Sequence, residues 1–350
     1  MAGEVAAPGP NTASPIANVK GKHFKKVVGM LGNLGPKDGK PAKVVCITGT
    51  TSGTGLLAAK VCAGLGAVVV LLNRPSERVT KSVEELKKAY PTTTFDSIAC
   101  DLGKFADVER AAEEIKGKYE AIYCLANNAG IMSMHDVATE DGYDIQMQVN
   151  VLSHIKLTSL LFPLLEAGGE TWGQARVVMH SSVKRIGPTL ETKYMEKNGA
   201  NLGGNSEKEQ MKRYQQTKLA DAVFTAALAD RLAKKKSKVI SVVAHPGFSW
   251  TELIHNGDFS VKSHFLFNNV LKYLSQSPGD GCTGLLRCIA DESVGNLEFY
   301  GPRTGIMGPK NALKGFPHKL PNEDLFNNDK VKELLWTTCE KELGPFGHGL

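Results

Sequence analysis

The sequence predicts an α/β protein: one doubly wound, Rossmann-type domain with a seven-stranded parallel sheet and helices on both faces. Three observations carry this. A glycine turn sits between an apolar run and a helical pattern at residues 44–61, short β-rich runs alternate with longer helical patterns as far as residue 300, and the composition is ordinary for a globular chain, 42% hydrophobic and 22% charged. At 350 residues the chain buries a sizeable core, and α/β units of about 250 residues or more often fold as one domain. Residues 1–42 read as a flexible N-terminal tail, 43–305 as the domain, and 306–350 as a C-terminal extension with a terminal helix.

The tail is rich in Gly, Pro, Ala and Asn and carries Lys but no Arg, with a short helix over 24–34 expected to pack on the main domain. It lacks the apolar centre of a signal peptide, and the missing Arg argues against a transit peptide. The seven cysteines are dispersed without a C-x-x-C pair, which fits a reduced compartment and no zinc site. These features predict a cytoplasmic protein, with organelle import through the tail left open. No stretch of about 20 apolar residues predicts a membrane span. The net charge of +6 is modest, and the lysine run 234–238 ends an amphipathic helix, where cations complement the helix dipole, so no nucleic acid is expected as a partner.

Strands are predicted at 43–48, 67–72, 94–99, 121–126, 176–180, 239–244 and 297–300, with helices near 53–65, 76–89, 104–117, 140–166, 207–235 and 278–291. Gly49, Thr51, Ser52, Gly53, Thr54 and Gly55 form the first turn. Glycines there allow positive φ and close approach of the backbone, and the new helix offers free N–H groups and a positive dipole end, so the turn suits the pyrophosphate of a dinucleotide. Residues 184–210 read as a polar insertion outside the core. Residues 255–277, with Phe259, Phe265, Phe267 and Tyr273, read as a cover over a pocket, and 301–321 as a Gly/Pro-rich loop before a last helix near 329–343.

Chemistry concentrates at Tyr214 and Lys218, four residues apart in a helical pattern and therefore on one face, one turn apart. An ammonium beside a phenol favours phenolate and brings its pKa down toward the range of a general acid/base. Alone, the pair reads as an ordinary Tyr and Lys on a solvated helix face. It is joined by Ser181-Ser182 at the end of the fifth strand, by Asn127-Asn128-Ala129-Gly130 at the end of the fourth, and by Asn150 within a long helix, where an amide is a weak choice.

On these residues the chain resembles the short-chain dehydrogenase/reductase family from about residue 43 to 305. The resemblance rests on T-G-x-x-x-G-x-G at 48–55, Asp101-Leu102, Asn128-Ala129-Gly130, Asn150, Ser182, Tyr-x-x-x-Lys at 214–218, and Pro246-Gly247 followed by Thr251. Val-Ala-His-Pro-Gly and Tyr-Gln-Gln-Thr-Lys-Leu-Ala are closer to the retinol-dehydrogenase-like and WW-domain-oxidoreductase-like branch. The resemblance implies that Tyr214 donates the proton, Lys218 lowers its pKa and holds the nicotinamide ribose, Ser182 polarises the substrate carbonyl with Ser181 as the alternative, and Asn150 holds a water leading to solvent. Pro246, Gly247 and Thr251 join the cofactor contacts. The long gap between Ser182 and Tyr214, and Gln215-Gln216-Thr217 inside the motif, depart from compact members of the family.

Arg74, at the end of the second strand where a carboxylate would select a ribose 2′-hydroxyl, offers a bidentate partner to a 2′-phosphate, so the expected cofactor is NADP(H). Asp101 is either an acceptor for the adenine amine or a helix N-cap. The expected function is hydride transfer between NADP(H) and a hydrophobic carbonyl/alcohol substrate, without a metal. A homodimer is compatible with the resemblance. Two alternatives stand beside this reading: a protochlorophyllide-reductase-like enzyme, although Phe248 follows Pro-Gly where those enzymes carry cysteine, and a non-catalytic NADP-binding sensor or scaffold.

Overall fold

The protein is described by a computed structural model covering residue 16 and residues 18–249, 257–258, 260, 275–304, 313–347 and 350. The apolar run after Lys43 forms β1 (Val44–Thr48), buried along its whole length, as a parallel strand covered on both faces must be. It is followed by β2 (Val68–Asn73), β3 (Phe95–Ala99), β4 (Cys124–Asn127), β5 (Ala175–His180), β6 (Val239–Ala244), β7 (Phe299–Thr304) and β8 (Lys314–Leu320). Across the sheet the order is β3-β2-β1-β4-β5-β6-β7-β8. All described neighbours are parallel except β7 and β8.

The helices are α1 (Phe24–Val28), α2 (Gly53–Gly64), α3 (Glu77–Ala89), α4 (Phe105–Lys118), α5 (a turn Ile145–Met147, a π-helical stretch Gln148–Leu152, then Ser153–Trp172), α6 (Glu207–Lys234), α7 (Pro278–Ala290) and α8 (Asp329–Leu343). Side-chain caps start several of them: Ser76 accepts from the Val79 N–H, Asp144 from Met147, Ser206 from Glu209 and Ser277 from Asp280. Two apolar cores form, one on each face of the sheet. The chain winds outward from β1 through β2 to β3 and then returns to β4 on the other side of β1. The crevice where the winding reverses therefore opens between β1 and β4, at the carboxyl ends of the strands.

Two features differ from the sequence reading. An eighth, antiparallel strand forms where glycine and proline predict a loop; it is the edge strand, where Pro317 removes no necessary ladder bond. The insertion is not excluded from the core: Leu190, Tyr194 and Met195 are buried in it. In the tail, Phe24 and Val27 are buried and the N–H groups of Lys22 and His23 donate to the Asp280 carboxylate at 2.9 and 2.7 Å, so this part is packed against α7.

Helix α8 lies on α6. Trp336 stacks on Phe224 with ring centroids 6.3 Å apart and planes 10° from parallel, the Arg231 guanidinium sits 3.8 Å from the indole, and Phe346 closes the cluster at 5.1 Å from Trp336. Trp336→Ala removes the centre of this cluster and is expected to lower the unfolding free energy by about 3–5 kcal/mol in a urea titration. A loss below about 1 kcal/mol would mean that α8 is not part of the cooperative core.

Candidate active site

At the turn after β1, Gly49 and Gly53 have φ of 73° and 56°, conformations that favour glycine. A Cβ on Gly49 would stand 2.9 Å from Ala129, and one on Gly55 would strike the Gly49 carbonyl. The glycines thus let the turn close onto the end of β4. The N-cap of α2, Ser52, makes no side-chain bond to the helix, and Thr51 to Thr54 are half-buried, which leaves the leading N–H groups of α2 facing the crevice. On the far side, Asn73 ties β2 to the turn: its Oδ1 accepts from the Thr50 N–H and its Nδ2 donates to Thr50 Oγ1, both at 2.7 Å. Arg74 follows directly and is exposed.

The end of β4 is fixed by Thr48, whose Oγ1 accepts from the N–H groups of Asn128 and Ala129 at 2.9 Å each. Asn128 Nδ2 donates to the Thr48 carbonyl at 2.9 Å, and its Oδ1 meets Thr54 Oγ1 at 3.0 Å and His180 Nδ1 at 2.9 Å. The Asn128 side chain is therefore a brace between strand ends. Leu102 is buried, and its carbonyl accepts from Ser153. Asp101 is not an N-cap: α4 begins at Phe105 with Lys104 in the capping position, and Asp101 Oδ1 accepts from the Gly103 N–H at 2.9 Å. At the end of β6, Gly247 has φ of 65° and donates its N–H to His245 Nδ1, while the Pro246 carbonyl accepts from Ser249. Thr251 and the aromatic residues Phe259, Phe265, Phe267 and Tyr273 lie outside the described residues.

Tyr214 and Lys218 project from α6, both buried, with Lys218 Nζ 5.8 Å from the phenol ring centroid. The Lys218 ammonium donates to the His180 carbonyl at 3.0 Å and to Asp221 Oδ2 at 2.8 Å. Ser182 Oγ accepts from the Lys184 N–H at 3.2 Å and hydrogen-bonds Tyr214, whereas Ser181 Oγ donates to the Lys218 carbonyl at 2.5 Å. Of the two serines, only Ser182 faces the phenol in these contacts. Burial holds the Tyr214 phenol above its ordinary pKa; Lys218 and Ser182 pull it down without overcoming that. The sequence reading expected the ammonium to prevail, and the desolvation of a fully enclosed phenol reverses it. Lys218 stays above the usual lysine range because Asp221 and Tyr214 outweigh its own burial.

Asn150 sits in the π-helical stretch of α5, a local widening that turns its side chain across to neighbouring segments. Its Oδ1 accepts from the Ile131 N–H at 2.8 Å, and its Nδ2 donates to the Ile131 carbonyl at 2.9 Å and to Thr217 Oγ1 at 3.0 Å. Its own carbonyl meets His154 Nδ1 at 2.9 Å. Gly130 lies beside this group: a Cβ there would be 3.3 Å from Asn150 Oδ1 and 3.8 Å from Lys218 Nζ. Between the Tyr and the Lys, Thr217 takes the Asn150 bond, and buried Gln216 binds the insertion through the Glu191 N–H at 3.0 Å and the Thr189 carbonyl at 2.8 Å.

Sequence reasoning missed Asp221, His180, His154, Arg185 and Arg213, all buried around these groups. Asp221 had one legible signal, its place three residues after Lys218 on the same helix. Arg185 pairs with Glu323 of the C-terminal extension at 2.7 Å, and Arg213 with Asp144 at 3.2 Å.

Residues 43–192 match the family described as short chain dehydrogenase. An uncharacterized oxidoreductase of Schizosaccharomyces pombe is 33% identical over 296 residues, covering 83% of this chain and 82% of that protein. The polyprenol dehydrogenase of Homo sapiens is 30% identical over 307 residues, covering 86% and 85%. A solved structure of an uncharacterized protein from Mycobacterium paratuberculosis superimposes with a TM-score of 0.67 at 23% identity, covering 92% of this chain and 98% of that one, and shares the fold.

Asn150→Ala leaves the Ile131 N–H and carbonyl without their partner. An expected loss of about 1–3 kcal/mol in stability, read by thermal or urea unfolding, follows from stranding buried polar groups. An unchanged melt would show that water replaces the amide at no cost.

Proposed function

We propose that this chain, an oxidoreductase that belongs to the short-chain dehydrogenase family, moves hydride between NADP(H) and a hydrophobic carbonyl/alcohol substrate, with Tyr214 as the general acid/base. One observation carries the reading: a buried phenol with a serine hydroxyl bonded to it and a lysine ammonium one helical turn away, grouped on the rim where the glycine turn opens. Bound nicotinamide supplies the hydride, and what the protein adds is position and a proton.

Ser182 and Tyr214 would hold the carbonyl oxygen between two hydroxyls, which fixes the carbonyl plane and polarises it. Tyr214 would pass its proton to that oxygen as negative charge develops there, and Lys218 would hold the resulting phenolate by charge. Lys218 has three N–H donors, of which two are used among the described residues, so the third would serve a ribose hydroxyl. Both Nδ2 hydrogens of Asn150 and one acceptor site of its Oδ1 are engaged, which supports a positioning role for it beside Ile131 and Thr217.

For the cofactor, the turn is a cradle of suitable shape: positive-φ glycines, an uncapped helix start, and no room for Cβ atoms at Gly49 and Gly55. Asp101 accepts from its own turn through Oδ1, and its Oδ2, without a hydrogen bond among the described residues, would accept from an adenine amine. Exposed Arg74 at the end of β2 favours a 2′-phosphate over a bare ribose. A hydrophobic substrate is supported by the name of the human relative, a polyprenol dehydrogenase.

NADPH fluorescence titration with NADH alongside tests the cofactor. Arg74→Ala is expected to weaken NADPH about 10- to 100-fold while leaving NADH nearly unchanged, the size of a lost charge-assisted bond; equal effects on both nucleotides would remove Arg74 from phosphate recognition. Tyr214→Phe is expected to lower kcat by about 10²- to 10⁴-fold on an aldehyde panel with NADPH affinity retained. Turnover that survives Tyr214→Phe would overturn the acid/base assignment.

A further inference from the structure

Asp221 has no part in the proton transfer just described, yet it is the group most tightly bound to the lysine. Its side chain is 1% exposed, Oδ2 lies 2.8 Å from Lys218 Nζ, and Oδ1 has no hydrogen-bond partner among the described residues. With the His180 carbonyl at 3.0 Å, the carboxylate fixes the ammonium from two directions. The other titratable groups facing the pair are Tyr214 on the same helix, His180 from β5 and His154 from α5. Both histidines are neutral: burial, aided by the Lys218 charge, drives His180 down to about 3 and His154 to about 4. Burial pushes the Asp221 carboxyl up to about 6 while Lys218 pulls it back, and the 2.8 Å ion pair with the ammonium makes the carboxylate its charged partner.

The charges can then be counted. With Tyr214 protonated, lysine and aspartate cancel and the enclosed group is neutral. Losing the phenol proton would leave a net negative charge in a desolvated site. Without the carboxylate, the same loss would instead take the group from positive to neutral, which is easier whichever of the coupled groups gives up the proton.

We propose that Asp221 is a positioning residue of this site: its carboxylate clamps the Lys218 ammonium and cancels its charge, so that Tyr214 keeps its proton near neutral pH and the enzyme is geared to carbonyl reduction. The proposal rests on the acid/base reading of Tyr214. In the reductive direction the carbonyl carbon gains a hydride from NADPH, which leaves as NADP⁺. The carbonyl π bond breaks, its oxygen takes the Tyr214 proton to give the alcohol, and the phenolate regains a proton from solvent.

Two measurements test it. One is kcat/KM for NADPH-dependent reduction of nonanal against pH, in wild type, Asp221→Asn, Asp221→Glu and Tyr214→Phe. The other needs no substrate: ultraviolet titration of tyrosinate, with the Tyr214→Phe signal subtracted. In Asp221→Asn the tyrosinate midpoint and the alkaline fall of reductive activity are expected about one pH unit or more lower, while Asp221→Glu keeps the wild-type midpoint.

Superimposed profiles for wild type and Asp221→Asn would overturn the proposal, because a merely structural aspartate lowers the melting temperature without moving a midpoint. If Asp221→Asn fails to fold, the wild type alone decides: its reductive kcat/KM should stay level through neutral pH, and a decline centred below about pH 7 would refute the role. Full activity in Tyr214→Phe would instead sink the acid/base reading itself.

Discussion

A lysine ammonium enclosed in the protein is the constraint around which the rest of this site is built. Removing such a charge from water costs several kcal/mol even after relaxation, so the fold must surround it with acceptors. It does so with the carbonyl at the end of β5 and the carboxylate three residues along α6. The same contacts dock α6 onto the sheet, since Ser181, next to His180, donates back to the Lys218 carbonyl. Once Lys218 is seated, Tyr214 has no freedom left: it stands one turn earlier on a helix whose rotation is already set. The position of the phenol is thus a consequence of stabilising the lysine.

The polar groups around that centre form a web in which most members are satisfied by the ends of other strands. Thr48 joins β1 to β4 through two backbone N–H groups and meets His154 Nε2 at 3.0 Å; His154 then reaches the Asn150 carbonyl. Asn128 joins the same turn to His180, and Asn150 joins Ile131 to Thr217 on α6. Such a network specifies a single arrangement because each unmade bond inside it strands a buried polar atom. It also explains why an asparagine is found in a helix: the π-helical stretch around Asn150 turns an unfavourable helix residue into a clamp on a loop.

Much of this was legible in the sequence, for reasons of spacing. Parallel strands buried on both faces read as short apolar runs, so all seven expected strands lie where the runs lie, and the fourfold spacing of Tyr214 and Lys218 gives their shared face without tertiary information. What was hidden depends on burial. Asp221 reads as an ordinary charge on a helix because its partner is revealed only when the helix is enclosed. Burial likewise decides that the phenol holds its proton more firmly than the neighbouring ammonium alone would suggest. Tyr194 and Met195 turn inward from a polar stretch, and β8 forms from a proline-containing segment because an edge tolerates it.

The long span between Ser182 and Tyr214 is the chain's main departure from compact relatives, and its packing shows why the departure does not loosen the site. Arg185, at the beginning of the span, is fully buried; it donates to the Ser182 carbonyl at 3.2 Å and to Glu323 at 2.7 Å, and its guanidinium lies 4.4 Å from the Phe299 ring. At the other end, Arg213 precedes Tyr214 and donates to the carbonyls of Gly204 and Met134 at 2.8 and 2.9 Å. Gln216 holds the middle. The span is therefore pinned at its start, middle and end by side chains adjacent to the serine and the tyrosine. A segment after residue 305, through Glu323, is one of the pins. Extra chain length here adds anchors next to Ser182 and Tyr214, so the insertion and the extension belong physically to the wall of the candidate site although they are remote from it in sequence.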